Sequence, residues 1–359
     1  MVCRFKSCLV HQKFELKCAI LAFFHVSLAP PTFREKGRFF LIFHAFFGII
    51  RDMINQTTKD KINFLTEKYH DLVREQREAV RQMTFAELPE IVYNSNAIEN
   101  STLTLEDTED ILLRDQIRTD HQIREIYEAK NLALTMEYLM ENREPAISIE
   151  LILKLHQILL QNIWNEAAGR FRTGHEWVRI GTHLGANPAF VNGFVHDLVT
   201  WYNQNDTPAP VQGNENESAE PEFFLSRIAY FHAEFENIHP FCDGNGRIGR
   251  LIINEQLDLL DLPPIIIPSK TRFEEYYPAL EQYSREMRYD LLTDLLAKLL
   301  IEALHRRLTQ LTARHIVPIA DWARSRGISQ QAANNRAGRG TLPAFRVRGR
   351  WMIDEEAEG

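Results

Sequence analysis

Between residues 63 and 311 the apolar side chains recur at spacings of three and four, a period that admits little besides amphipathic helices. Leu65, Leu72, Val73 and Val80 begin the pattern, and it returns over 123–139, 149–163, 223–235 and 291–311. Strand-like alternation is scarce. Its best case is 176–180 with a turn at Gly181, followed by a Gly/Asn/Pro-rich stretch over 185–193. The segment 203–221 (NQNDTPAPVQGNENESAEP) reads as a polar surface loop, and no internal repeat is present. The expected fold class is all-α with one short β-hairpin.

Composition narrows the function classes. A chain of 359 residues with 45% hydrophobic and 25% charged residues is neither wholly disordered nor a polytopic membrane protein. Of its four cysteines, Cys3, Cys8 and Cys18 precede residue 19 and Cys242 stands alone, so a disulfide scaffold and a structural zinc site are both excluded. The reading is a cytoplasmic protein with no membrane partner. The charge is uneven: residues 1–52 hold eight Lys/Arg against three acids, and 313–350 hold eight Arg against Asp321. Residues 53–312 carry a net −16. An acidic body with a basic C-terminal module suggests two tasks, and the basic part is the one suited to nucleic acid.

Residues 1–52 do not read like the rest. They contain ten of the 22 phenylalanines, and their two apolar runs fall short of a membrane span. One reading is a signal or anchor, because Lys13 and Lys17 precede an apolar stretch. The other is that the natural protein starts at Met53, where the chain turns polar and helix-prone in one step.

The densest stretch is His239-Pro240-Phe241-Cys242-Asp243-Gly244-Asn245-Gly246-Arg247-Ile248-Gly249-Arg250. It lies between two helical patterns. Gly244 and Gly246 allow a sharp turn and close approach of backbone to an anion, and the N-terminus of the next helix favours phosphate. Arg247 and Arg250, three apart, reach from neighbouring faces of its first turn. Asp243 is a hard carboxylate suited to Mg²⁺, and His239 can take a proton near neutral pH. The plainer alternative is a glycine loop capping a helix, with His239 merely packed.

This stretch resembles the signature of the Fic family, HPFx(D/E)GNGRxxR, at every specified position. Leu155-His156 with Gly169-Arg170-Phe171-Arg172, and Phe231-His232 with Ile238, resemble the family's surrounding sequence, and the resemblance covers roughly residues 53–311. It implies an all-α Fic-type core in which the motif joins two central helices, and AMP transfer from ATP to a Ser, Thr or Tyr hydroxyl of a target protein. By that resemblance His239 is the catalytic base and Asp243 holds Mg²⁺. Gly244, Asn245, Gly246, Arg247, Ile248, Gly249 and Arg250 line the ATP phosphates, Arg250 reaching the γ-phosphate. Phe241 anchors the loop in the core. The hairpin around 173–181 resembles the flap that aligns a target by strand addition. Tyr277 resembles the adenine-side tyrosine, with an ordinary buried aromatic as the alternative. A family subset that phosphorylates carries Lys where this chain has Gly246.

Upstream, Ser95 and Glu99 lie four apart on one helical face. Ser95-Asn96-Ala97-Ile98-Glu99-Asn100 resembles the family's inhibitory motif (S/T)xxxE(G/N). The resemblance implies that Glu99 pairs with Arg250 and leaves ATP in an unproductive pose; the alternative is a solvated glutamate.

At the C-terminus, 317–327 reads as a short helix ending in Gly327, and Ser329 as the N-cap of a second helix, 330–337. That second helix presents Gln330, Gln331, Asn334, Asn335 and Arg336, and 341–353 alternates like a small β-wing around Arg348-Gly349-Arg350. The whole resembles an excisionase-like winged helix, which implies DNA binding; the alternative is a basic adaptor for a protein. The expected organisation is a doubtful extension (1–52), a helical region with the inhibitory motif (53–145), a catalytic core (146–312) and a winged helix-turn-helix (313–359). The expected activity is a protein adenylyltransferase using ATP and Mg²⁺, restrained by Glu99. A de-AMPylase, or a DNA-binding regulator with the Fic domain as nucleotide sensor, are the competing readings, and a homodimer is left open.

Overall fold

The computed structural model describes residues 53–117, 120–181, 183–204 and 220–358. The doubtful extension and most of the polar insertion therefore lie outside the described residues.

Long helices dominate, as the apolar period dictates. Helix α1 (Gln56–Ile98) starts at Asn55, whose side chain accepts from the amide of Thr58, and runs through Pro89 with a break in helical geometry at Gln76. It is followed by α2 (Leu105–Leu113), α3 (Ile123–Glu141) and α4 (Ile149–Leu160). Thr104 and Asp107 form a reciprocal capping box at the start of α2. A two-stranded antiparallel hairpin comes next, β1 (Arg179–Ile180) and β2 (His183–Leu184), shorter than the sequence suggests. Helix α5 (Val191–Gln204) grows out of the stretch read as irregular.

The centre of the molecule is the pair α6 (Pro221–Ile238) and α7 (Asn245–Asp258). Nearly all of α6 is buried, including Phe224, Phe231 and Phe235. Gly249 sets the closeness of the two helices, since a Cβ there would meet Glu236 and His232. A π-turn (Arg272–Tyr276) leads into α8 (Tyr277–Glu286), and α9 (Asp290–Thr312) packs along α1 and α6. Arg306 and Arg307 of α9 pair with Glu87 of α1 in the interior, joining the two longest helices among the described residues by buried charge.

The C-terminal module consists of β3 (Ile316–Pro318), α10 (Ile319–Ser325), α11 (Gln330–Gly338), β4 (Ala344–Val347) and β5 (Arg350–Asp354). Its sheet has the order β3-β5-β4, all antiparallel. Its own core is Trp322, Ala323, Ala333, Leu342 and Ile353. The first helix begins at Ile319 rather than 317, because Ile316–Pro318 pairs with Asp354–Met352 as an edge strand. The module also packs on the body: Arg346 makes a paired contact with Glu302 of α9, and Lys61 of α1 donates to the carbonyl of Gly340.

Candidate active site

The α6–α7 junction makes the site. Helix α6 ends at His239, which takes a left-handed backbone (φ 54°) and so turns the chain sharply into the loop. Its ring Nδ1 lies 3.2 Å from the carbonyl of Glu236. A carbonyl can only accept, so Nδ1 carries the proton and the lone pair sits on Nε2. Phe241 is fully buried and stacks on His156 at 3.6 Å, anchoring the loop.

Asn245 does not offer its side chain to a ligand. Its amide exchanges two hydrogen bonds with the backbone of Phe241, at 2.8 and 2.9 Å, and locks the turn. Gly244 sits at the N-cap with φ 80°, and the first helical bond of α7 runs from Ile248 to Gly244. The Asn245, Gly246 and Arg247 amides ahead of it have no acceptor within the helix, as at any helix N-terminus, and anions are favoured there. Ile248 is wholly buried and serves the core.

The charged residues already satisfy one another. Arg250, almost buried, donates to Ser95 Oγ at 3.0 Å, to the Ser95 carbonyl at 2.9 Å and to Glu99 Oε1 at 2.8 Å. Burial works against its charge, but Glu99, Tyr276 and Glu236 together outweigh burial and raise its pKa. The Glu99 carboxylate lies directly over Gly246, in the space a Cβ would fill. It thus occupies the anion position at the mouth of α7. Arg247 pairs with Glu128 at 3.3 Å and with Asp243 at 3.2 Å. Asp243 also accepts from Arg124 and from the Gly244 amide. Burial raises the Asp243 pKa, yet Arg247 and then Arg124 outweigh it and hold the carboxyl below its usual range.

Several site residues escaped the sequence reading of roles. Arg124 and Glu128, one turn apart on α3, contact Asp243 and Arg247. Buried His156 bridges the loop: Nδ1 accepts from the amide of Gly169 at 3.0 Å, and Nε2 donates to the carbonyl of Asp243 at 3.1 Å. Burial lowers its pKa to about 4, so it stays neutral. Glu236 lies beneath His239, its carboxylate 3.8 Å from Nδ1, and burial pushes its pKa up to about 8. Arg172, 1% exposed, donates to the carbonyls of His239 (2.6 Å), Ile238 (2.9 Å) and Ala186 (2.5 Å), tying the hairpin to the loop. Only the paired spacing of Arg170 and Arg172 beside the hairpin offered a signal for it.

Tyr277 is partly exposed and its hydroxyl donates to the carbonyl of Ile98 at 2.8 Å, next to Glu99, while Tyr276 is the buried aromatic. In the C-terminal module Gln330, Gln331 and Asn335 are exposed on α11, and Asn334 and Arg336 are half-buried. Arg348, in the β4–β5 turn, pairs with Glu109 of α2 at 2.6 Å and so faces the body.

Residues 146–257 match the Fic/DOC family model. Among curated proteins, the chain is 33% identical over 193 residues to protein adenylyltransferase fic-1 of Caenorhabditis elegans, covering 53% of this chain and 35% of that protein. It is 29% identical over 221 residues to protein adenylyltransferase Fic of Drosophila persimilis, covering 61% and 39%. The chain therefore spans little more than a third of the length of these relatives. A solved structure of a C. elegans Fic-1 fragment superposes with a TM-score of 0.59 at 27% identity, over 76% of each chain. A Fic domain containing signaling protein from Bacteroides thetaiotaomicron superposes at 0.60 with 24% identity, a likeness of fold. With the loop, the two central helices and these likenesses in agreement, residues 146–257 are a domain of the Fic/DOC family.

Proposed function

We propose that the chain is a protein adenylyltransferase held in a restrained state by Glu99. The observation that carries this reading is the His239–Arg250 loop: a base with its lone pair on Nε2 stands beside an anion cradle at the N-terminus of α7. His239 Nε2 takes the proton of a target Ser, Thr or Tyr hydroxyl as its oxygen attacks the α-phosphorus of ATP. The new bond joins that oxygen to phosphorus, the α–β bridging bond breaks, and pyrophosphate leaves. The Glu236 carbonyl fixes the tautomer, and the Glu236 carboxylate, when ionised, stabilises the charged imidazole. Arg247 and Arg250 draw the phosphates into the cradle once they release their carboxylates.

Mg²⁺ fits Asp243. Its carboxylate, kept ionised by Arg247 and Arg124, is a hard oxygen donor that would hold the ion once those arginines turn to phosphate. Bound there, it would neutralise phosphate charge. Restraint follows from geometry: the Glu99 carboxylate sits over Gly246 and holds Arg250, so a γ-phosphate must displace it from both. The test is label transfer to protein from ATP labelled at the α-phosphate, with ATP labelled at the γ-phosphate as control. Transfer of α-label alone, lost in His239→Ala, supports the reading; transfer of γ-label refutes it.

The exposed amides of α11 favour a second role, contact with DNA through Gln330, Gln331, Asn334 and Arg336. Arg348 joins such a contact only by leaving Glu109.

A further inference from the structure

A cavity of about 330 Å³ lies between the C-terminal hairpin and the body, away from the Fic loop. Its walls come from α1, the loop before the π-turn, α9 and the β4–β5 hairpin. Its charge is unbalanced. Lys270, Arg306, Arg307, Arg346 and Arg348 line it, against only three carboxylates, Glu87, Glu90 and Glu302. Glu109, which pairs with Arg348, and Glu275, which acts on Arg346, lie outside the lining, so Lys270 is the lining cation with no carboxylate partner among the described residues.

The cations are held in place rather than loose. Arg346 is fixed by Glu302 through both ends of its fork and lies 5.0 Å over the Trp351 ring. Arg306 is gripped by Glu87 at 2.6 Å and Glu90 at 3.2 Å. Burial raises the Glu90 pKa against the pull of Arg306. At the mouth, Lys270 is exposed and has no ion-pair partner among the described residues; its ammonium stands 3.6 Å from where a Cβ of Gly349 would be. Gly349 and Arg348 both have positive φ, 74° and 52°, the geometry of a tight hairpin turn in which asparagine or glycine is favoured at the first position. Arginine at that place is explained by its reach to the cavity rim and Glu109.

We infer that this cavity is a second anion site, taking a small di- or triphosphate group distinct from nucleotide bound at the Fic loop. Arginine forks and one free ammonium match the oxygens of a multiply charged phosphate, and the volume suits a ligand between pyrophosphate and a mononucleotide. Tyr93 and Asn94, both in its wall, immediately precede Ser95, so a ligand there bears on the helix that carries Glu99.

The test is calorimetric titration of the full chain with sodium pyrophosphate at low salt. Arg247→Ala disables the Fic loop and should leave about one equivalent bound. Adding Lys270→Glu should weaken that remaining site by about thirtyfold or more, the scale set by reversing a charge about 4 Å away even at bulk-water screening. Adding Arg348→Ala in place of Lys270→Glu should also weaken it. Because Lys270 is exposed and unpaired, its substitution spares the fold, and an unchanged circular dichroism melt checks this. No binding by Arg247→Ala, or binding that neither substitution changes, would overturn the inference.

Discussion

Arg172→Met should loosen the junction between the hairpin and the His239–Arg250 loop at a cost of about 3 kcal/mol. The buried guanidinium supplies hydrogen bonds to the carbonyls of His239, Ile238 and Ala186, and one at 3.3 Å to Glu176. Ile238 keeps a donor without it, because its carbonyl also accepts from the Ala186 amide at 3.2 Å. Glu176 is partly exposed and can be rehydrated. Two poorly solvated carbonyls remain, His239 and Ala186, each costing roughly 1–3 kcal/mol when orphaned. Removing a desolvated charge returns part of that loss, which brings the net to about 3 kcal/mol. Urea unfolding measures it directly, and hydrogen exchange at Gly185 and Ala186 should accelerate in the same variant. Arg172→Lys, with charge but no fork, should recover only part of the stability. A stability loss below about 0.5 kcal/mol would refute the reasoning.

Three further expectations concern charge. Arg124 holds the Asp243 carboxylate, so Arg124→Ala should tighten Mn²⁺ binding severalfold in the presence of a non-hydrolysable ATP analogue, read by electron paramagnetic resonance, and Asp243→Ala should abolish it; equal affinity in wild type and Arg124→Ala would dismiss Arg124 as a competitor. Glu236 keeps its proton up to about pH 8 in the folded chain, against an ordinary value of 4.5. Between those values the unfolded chain releases a proton that the folded chain retains, so this residue's contribution to stability falls as pH rises through that window and levels off above it. The advantage of Glu236→Gln over wild type in urea midpoint should therefore grow from about pH 5 to pH 8, and a constant difference would contradict the assignment. Finally, a DNA shift at low salt should weaken steeply as salt rises and fail in Arg336→Ala; no shift at low salt would remove DNA from the account.

What was legible in the sequence was contiguous. The run from His239 to Arg250 lies in twelve consecutive residues, and its helix-loop-helix context follows from the apolar period on either side. The partners that set its charge state come from α3, α4 and the hairpin; nothing local marks Arg124 or Glu128, while His156 and Arg172 showed only as part of the resembling sequence, without a role. Ser95 and Glu99 were readable only beside the loop, since an isolated Ser-x-x-x-Glu occurs on many solvated helices. Strand β3 was missed because its partner on β5 lies more than thirty residues away, and 317–327 scores as helix by local preference. Helix α5 was hidden by Asn192 and Gly193 in its first turn, and α2 went unread although Thr104 and Asp107 form a capping box at its start.

Incorporation of label from α-³²P-ATP with Mg²⁺ into lysate proteins tests the central claim most directly, comparing wild type, Glu99→Gly and Glu99→Gly/His239→Ala. The Glu99–Arg250 bond is charge-assisted, worth about 1.5–3 kcal/mol when buried, and Glu99 is 42% exposed at its side chain, so about half of that is retained. Glu99→Gly should then label roughly four- to twelvefold more strongly than wild type, and the double variant should be silent. Labelling equal in wild type and Glu99→Gly, or surviving in the double variant, would contradict the account.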